Sequence, residues 1–277
     1  MPELPEVETV KRILAPQLCG RRVVKLTAVR PEVLAYPEPA AFCRGVESAT
    51  VTGMGRRGKF LLVYLEGGAH MVIHLRMTGQ LLVTPAADSL LPHTHVRFRL
   101  DDGSELRFAD TRRFGRLWLI GKGEEDTVSG IQRLGVEPLG GGLTAAVLSS
   151  GLGKRRIAVK QGLLDQSVVA GIGNIYADEV LFAAGISPFR PAAELTGADW
   201  QRLAEKIPAV LEWAVASNVM TPEEYLAGEG KNYRSAYFRV YGREGEPCPR
   251  CGQSIRRARL AGRSSFYCPS CQGVTGS

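Results

Sequence analysis

The chain begins MPELPEVETV, which places a proline and two carboxylates, Glu3 and Glu6, within its first six residues. An initiator methionine followed by so small a residue is ordinarily removed. Pro2 then carries a free secondary amine, and a reference pKa of about 8 leaves an appreciable nucleophilic fraction at neutral pH. An amine nucleophile, a proton carrier and a second acid are what covalent catalysis followed by elimination requires. A helix entrance lowers the pKa of such an amine and two carboxylates raise it, so the net direction is not written in the sequence.

A second chemical pattern closes the chain. CPRC (Cys248, Cys251) and CPSC (Cys268, Cys271) are two CxxC pairs sixteen residues apart, a spacing that suits a four-thiolate zinc site. A disulfide framework is the alternative, which a reducing compartment disfavours. Four thiolates fill a tetrahedral shell, so the expected cofactor is one structural Zn2+ with no place for a reacting water. Cys19 and Cys43 stand alone and read as small core residues.

The chain has 277 residues, 44% of them apolar, and a formal charge of +7. That length supports two or three domains. The charge points to a polyanionic partner, and its distribution sharpens the point. Lys231, Arg234, Arg239, Arg243, Arg250, Arg256, Arg257, Arg259 and Arg263 face only Glu244 and Glu246 in the same stretch. A solvated face would show the same run. No apolar run approaches the roughly 18 residues of a membrane span, and no cationic-then-apolar leader is visible. The cytoplasm is the expected location.

The elements that must position these groups can be read from periodicity. Val7, Val10, Leu14 and Leu18 predict a helix from about Pro5 to Leu18, with Glu3 and Glu6 at its entrance. From Val23 to Ile120 short runs rich in β-branched and aromatic residues predict strands: RVVKLTAV, FLLVYLE, HMVIHLR, HVRFRL, ELRFA and RLWLI. DDG (101–103) fits a hairpin turn. LGGGLT near residue 140 reads as a linker. Helices are then predicted for KRRIAVKQGLL, NIYADEVLFAAG and DWQRLAEKIPAVLEWAVAS, with Pro208 expected to kink or divide the last. Asn174, after the flexible Gly171 and Gly173, reads as an N-cap, and the glycine-rich entrance suits a phosphate. The fold expected is α+β, an antiparallel β-sandwich with a helix attached, then a helical module and a cysteine-rich end.

Taken together, PELPEVE, RRGK (56–59), HLRMTG (74–79), TRRFG (111–115), GIGNIYADE and GRSSFYC resemble the formamidopyrimidine-DNA glycosylase family (Fpg/MutM), in order along nearly the whole chain. The resemblance implies a base-excision repair enzyme of bacterial type. It would have an N-terminal β-sandwich domain (1–137), a helix–two-turn–helix DNA-binding domain (143–233) and a four-cysteine zinc-finger β-hairpin domain (234–277). It would act as a monomer on double-stranded DNA carrying oxidised bases or abasic sites. By position, Pro2 matches the family's nucleophile, Glu3 its proton shuttle at the sugar ring oxygen, and Glu6 a support of that network. Lys59, counted with the catalytic set, His74, Asn174 and Arg263 match positions that grip the phosphates around the lesion. Met77, Arg112 and Phe114 match the trio that fills the gap left by an everted nucleotide.

Each residue has a plainer reading. His74 fits a satisfied core histidine, Lys59 and Arg263 fit surface charges, and Met77 and Phe114 fit core packing on strands. In the family the segment before the finger caps the flipped purine. Here it is SNVMTPEEYLAGEGKNYRSAYFRVYGREGEP, with Tyr233 standing for the family's aromatic. The rival activities are an endonuclease VIII-like glycosylase for oxidised pyrimidines and a non-catalytic DNA-binding protein. Leu4 and the Met77, Arg112, Phe114 trio argue against the first, and a retained Met1 would favour the second.

Overall fold

The architecture follows from a computed structural model, which describes residues 1–124, 127–128, 130–218, 220–221, 224–225 and 237–273. The chain separates into two compact units. The first comprises Met1–Pro2, Glu6–Gln132 and Met220–Ala227, and the second Glu3–Pro5, Arg133–Val219 and Gly228–Ser277.

The first unit is a sandwich of two sheets. Strands β1 (Val23–Ala28), β6 (Gly79–Pro85), β7 (Thr94–Leu100) and β8 (Ser104–Asp110) form one sheet in the order β1-β7-β8-β6. Strands β2 (Leu34–Tyr36), β3 (Val51–Arg57), β4 (Phe60–Leu65), β5 (His70–His74) and β9 (Arg116–Ile120) form the other in the order β2-β9-β5-β4-β3. All pairings are antiparallel except the short β2–β9 contact. Alternation along the strands sends Leu81, Val96, Phe98 and Phe108 from one sheet, and Leu61, Val63, Met71, Ile73 and Leu117 from the other, into a common core. The DDG turn joins β7 to β8 as expected. Helix α1 (Leu4–Leu18) contributes Val7, Val10, Leu14 and Leu18 to this core, at the spacing read from the sequence. A short helix α2 (Pro39–Val46) adds Phe42 and Val46. Cys43 packs against the core, but Cys19 is exposed, which corrects its assignment as a core residue.

An ion-pair cluster around the buried Glu8 and Arg56 side chains ties α1 to the β3–β4 hairpin. Glu8 accepts from Arg56 Nε at 3.1 Å and from Arg12 Nε at 3.0 Å, and pairs with Lys11 Nζ at 2.8 Å. Burial alone would raise the Glu8 pKa, but these three cations hold it below the ordinary carboxylate value.

The second unit is helical, with α3 (Ala145–Leu152), α4 (Val159–Leu163), α5 (Asn174–Ala184) and α6 (Gly197–Ser217), followed by the hairpin β10 (Arg256–Leu260) and β11 (Arg263–Tyr267). Leu4 is buried in its core with Val180, Leu181, Leu203, Ile207 and Leu211. The helix expected from Lys154 begins only at Val159, while α3 lies in a stretch without a clear period. Pro208 does not divide α6, which runs unbroken through it. The Thr196–Asp199 capping box fixes its start, and Leu203, Ile207, Leu211 and Ala214 bury one face, which offsets the one backbone bond that proline removes.

Glu8→Gln removes the anion that Arg56, Arg12 and Lys11 share, and the expected loss of unfolding free energy at neutral pH is about 1–3 kcal/mol. The folded-state pKa is depressed, so the native contribution is complete at neutral pH and disappears as pH falls below 4.5. Urea unfolding of both proteins across pH 3–7 measures this, with the two curves converging in acid.

Candidate active site

Glu3 is buried, at 3% exposure, and its carboxylate sits against the start of α5. Its two oxygens accept from the backbone N–H groups of Gly173 (2.7 Å), Ile175 (3.0 Å) and Tyr176 (3.3 Å). The first N–H groups of a helix lack intrahelical partners, and the helix dipole favours an anion there. The N-cap position is Gly173, not Asn174, which is the first helical residue. The capping oxygen is therefore supplied from 170 positions away in the sequence, and the amides assigned to a phosphate are already held by Glu3. Gly173 is required by this approach, because a Cβ there would lie 2.3 Å from Glu3 Cδ. Gly171, at φ +91°, similarly leaves room for the Leu4 side chain.

Two further carboxylates of α5 point away from its start and are equally buried. Asp178 accepts from Phe266 N at 3.0 Å and pairs with Lys160 Nζ at 2.8 Å. Lys160 also donates to the Ser264 carbonyl (2.9 Å) and to Ser265 Oγ (2.8 Å). Burial pushes Asp178 up to about 7 in spite of the lysine, and it lowers the lysine in spite of the carboxylate. Glu179 accepts from Arg239, Val240 and Tyr241 N–H, each at 2.9 Å. Neither Lys160 nor these two acids stands out in the sequence, where a buried lysine on a five-residue helix leaves no periodic signature.

Asn174 Nδ2 donates to the Ser264 carbonyl at 3.0 Å, so the amide faces the β10–β11 hairpin. Arg263, beside it on β11, is exposed just after the turn residues Ala261 and Gly262, both at positive φ. The arginine run divides by use. Arg250 donates to the carbonyls of Phe182 and Ala183 at the end of α5, Arg243 pairs with Glu246 at 2.7 Å, and Arg257 donates to Ser264 Oγ. Arg256, Arg259 and Arg263 are exposed along the hairpin. Lys231 and Arg234 lie outside the described residues, as do Tyr233 and most of the segment assigned to capping a flipped base.

In the first unit Pro2 is buried and Met1 is 47% exposed. Glu6, at 3% exposure, lies in the first turn of α1. Lys59 is buried at the two-residue turn Gly58–Lys59 that joins β3 to β4. The β4–β5 register sets Phe60 opposite His74, and the two rings meet edge to face with centres 4.6 Å apart. Burial first, then the charges of Arg76 and Lys59, push the His74 pKa down to about 3. Its Nδ1 accepts from Arg76 N at 3.0 Å. The ring is thus neutral, with its proton on Nε2, and acts as a directed donor rather than a cation.

Met77, Arg112 and Phe114 do not lie on strands. Met77 is in the β5–β6 turn, and Arg112 and Phe114 are in the β8–β9 turn. Met77 is 47% and Phe114 49% exposed, which rules out core packing for both. Arg112 Nη1 lies 2.8 Å from Met77 Sδ, and its guanidinium carbon is 4.9 Å from the Phe114 ring centre. The structure brings these three together, as it brings Lys59 to His74 and Asn174 to the Arg263 hairpin. Arg76 and Arg113, one in each turn, adopt left-handed backbone at φ 56° and 59°, which costs about 1–2 kcal/mol for a residue with a Cβ.

The four cysteine sulfurs lie within 4.8 Å of one another. Cys248–Cys271 Sγ atoms are 3.8 Å apart and Cys251–Cys268 Sγ atoms 3.5 Å. A disulfide needs about 2.05 Å, so none is formed. A tetrahedral ion with bonds of about 2.3 Å to sulfur sets the sulfurs about 3.8 Å apart, which this cluster matches. Backbone N–H groups of Arg250 and Cys271 point at Cys248 and Cys268 sulfur.

Comparison with known proteins agrees with this geometry. Residues 1–117 match the formamidopyrimidine-DNA glycosylase N-terminal domain, 134–223 the formamidopyrimidine-DNA glycosylase H2TH domain, and 245–274 a zinc finger found in FPG and IleRS. The formamidopyrimidine-DNA glycosylase of Moorella thermoacetica is 50% identical over 260 residues, 94% of this chain and 95% of that protein. This chain belongs to the formamidopyrimidine-DNA glycosylase family. The Geobacillus kaustophilus enzyme of the same name is 45% identical over 98% of this chain and all of its own. Among solved structures, Lactococcus lactis Fpg in complex with abasic-site DNA aligns with a TM-score of 0.89 at 30% identity, covering 98% of this chain and 99% of that one. MutM from Thermus thermophilus aligns with a TM-score of 0.84 at 36% identity, covering 99% and 100%. Membership makes the chain a DNA glycosylase of base excision repair with one structural zinc. Cys248, Cys251, Cys268 and Cys271 are the residues that would hold the ion.

Two measurements follow. The His74 imidazole should show no titration between pH 5 and 8 in histidine-selective NMR, since its pKa is about 3. Cys268→Ser should lose bound zinc by metal analysis and weaken binding to abasic-site duplex at least roughly tenfold.

Proposed function

We propose that this chain excises oxidised purines, 8-oxoguanine and formamidopyrimidines, and then cleaves the abasic strand through an iminium formed on Pro2. The observation that carries the reading is the anchored Glu3 carboxylate, held by three helix-start amides. It immediately follows in sequence the residue that removal of Met1 would turn into a secondary amine. The Pro2 nitrogen lone pair attacks C1′, and the bond from C1′ to the base breaks, the base leaving with the bonding pair and taking a proton from water. The Glu3 carboxylate takes the proton that the attached amine sheds and passes it to the ring oxygen as the sugar opens, leaving a positively charged C1′=N link. That charge acidifies the C2′ hydrogens. Loss of one expels the 3′ phosphate, a second elimination expels the 5′ phosphate, and water then releases the sugar remnant and restores the amine. Glu6 supports this proton network.

Lys59, neutral His74, Asn174 and Arg263 hold phosphates flanking the lesion, two as cations and two as directed donors. Met77, Arg112 and Phe114 occupy the gap left by the everted nucleotide. The flip costs a few kcal/mol of unstacking. Their exposure on two adjoining turns supports this role over a packing one. Leu4, buried at the α5 entrance, favours the purine enzyme over the endonuclease VIII-like reading. We assign the functional domains to 1–137, 143–233 and 234–277, and the protein to the cytoplasm as a monomer acting on duplex DNA. Among the described residues no helix is long and apolar enough to cross a membrane.

Borohydride should trap the protein on duplex containing 8-oxoguanine opposite cytosine, and more weakly on thymine glycol duplex. Glu3→Gln should bind the lesion duplex but lose base excision by about 100-fold or more. Absence of any adduct at full occupancy rejects the iminium, and preference for thymine glycol rejects the purine assignment.

A further inference from the structure

We propose that Asp110 is the positioning residue of the duplex-invading wedge, locking the Met77 turn to the Arg112–Phe114 turn. This rests on the reading above, in which those three side chains enter the base stack. Asp110 is the last residue of β8 and only 1% exposed. Its Oδ1 accepts from the Thr78 hydroxyl, on the turn that carries Met77, and from Arg112 N at 3.1 Å. Its Oδ2 accepts from Gly115 N at 2.8 Å. Thr78 Oγ1 in turn accepts from Arg112 N at 3.1 Å. One carboxylate thus gathers donors from both turns.

The backbone of Asp110 is fixed as well. Its carbonyl meets His95 Nε2 at 2.7 Å, its N–H donates to the His93 carbonyl at 3.0 Å, and Arg113 N donates back to its carbonyl at 3.3 Å. The bonds to Arg112 and Gly115 bracket Arg113, whose left-handed φ would otherwise relax. Burial would raise the Asp110 pKa, yet the Thr78 hydroxyl and the amides of Gly115, Arg112 and Phe114 hold it below the usual carboxylate value.

The wedge needs this support. Met77 and Phe114 are each about half exposed, so packing does not fix them. Side chains that must enter a closed base stack gain from being held in place before contact. Asn at 110 keeps the shape but substitutes an amide nitrogen for one acceptor oxygen, setting donor against donor. Because Asp110 touches neither nucleophile nor reacting sugar, its effect should appear only where a stack must be entered.

The test compares borohydride trapping on an abasic site within a duplex and on the same site in a single strand. Asp110→Asn should lose roughly tenfold to a hundredfold on the duplex while trapping the single strand within about twofold of the unsubstituted protein. Thr78→Val removes one donor to the carboxylate and disturbs folding less. It should shift the same ratio in the same direction, and Thr78→Ser should restore it. Fluorescence of 2-aminopurine opposite the site should rise on binding by the unsubstituted protein and stay low with Asp110→Asn. Equal loss on both substrates, or no loss on either, overturns the proposal. Failure of the unsubstituted protein to be trapped on either substrate refutes the iminium reading instead.

Discussion

A carboxylate from residue 3 completes a helix that begins at residue 174, and much of the second unit is arranged around that helix. The first α5 amides have no carbonyl of their own helix to bond, and Glu3 supplies both the acceptors and the negative charge that the helix start favours. The same helix then offers Asp178 to the β10–β11 hairpin and Glu179 to the backbone of 239–241. At its end, carbonyls of Phe182 and Ala183 receive Arg250 from the first cysteine knuckle. One eleven-residue helix therefore orders the acid of the proposed chemistry, the amide of Asn174 and the zinc module.

The first unit applies similar logic to turns. Glu8 joins α1 to β3 through Arg56, and Asp110 joins two turns through hydroxyl and amide donors. Each acid is desolvated, and each is kept as an anion because several donors converge on it. His74 is the counterexample. Surrounded by cations rather than acids, it resolves its burial by staying neutral. The unit thus presents a donor whose strength depends on direction more than on net charge.

Much of this is legible in the sequence. Apolar spacing reveals α1, α5 and α6, alternation reveals six strands, and cysteine spacing reveals the metal cluster. β3 escapes because VTGMGRR has glycines where β-branched residues signal a strand. α2 is too short for its period to stand out. Lys154–Ala158 carries helical composition, but the backbone here pairs with 190–193, where the Arg190 carbonyl accepts from Val159 N and Ala192 N donates to the Ile157 carbonyl. Local rules place the cap of α5 on Asn174, while the true acceptor lies far away in the chain. Residue types at the site can be read from the sequence, yet their settings cannot. Met77 and Phe114 sit in turns, where strand alternation says nothing about exposure, and the buried Lys160–Asp178 pair is visible only once helix and hairpin are in place.

Exposure of the Met77 thioether has a chemical cost if, as proposed, the protein works on oxidised bases. The oxidants that damage guanine also convert accessible methionine to its sulfoxide. Here that change would place a strong acceptor next to the Arg112 guanidinium, already 2.8 Å from the sulfur. In the role proposed for Met77, a polar group would then stand where an apolar filler is wanted. On that proposed role, repair capacity would decline under the same stress that raises demand for it, unless a reductase restores the side chain.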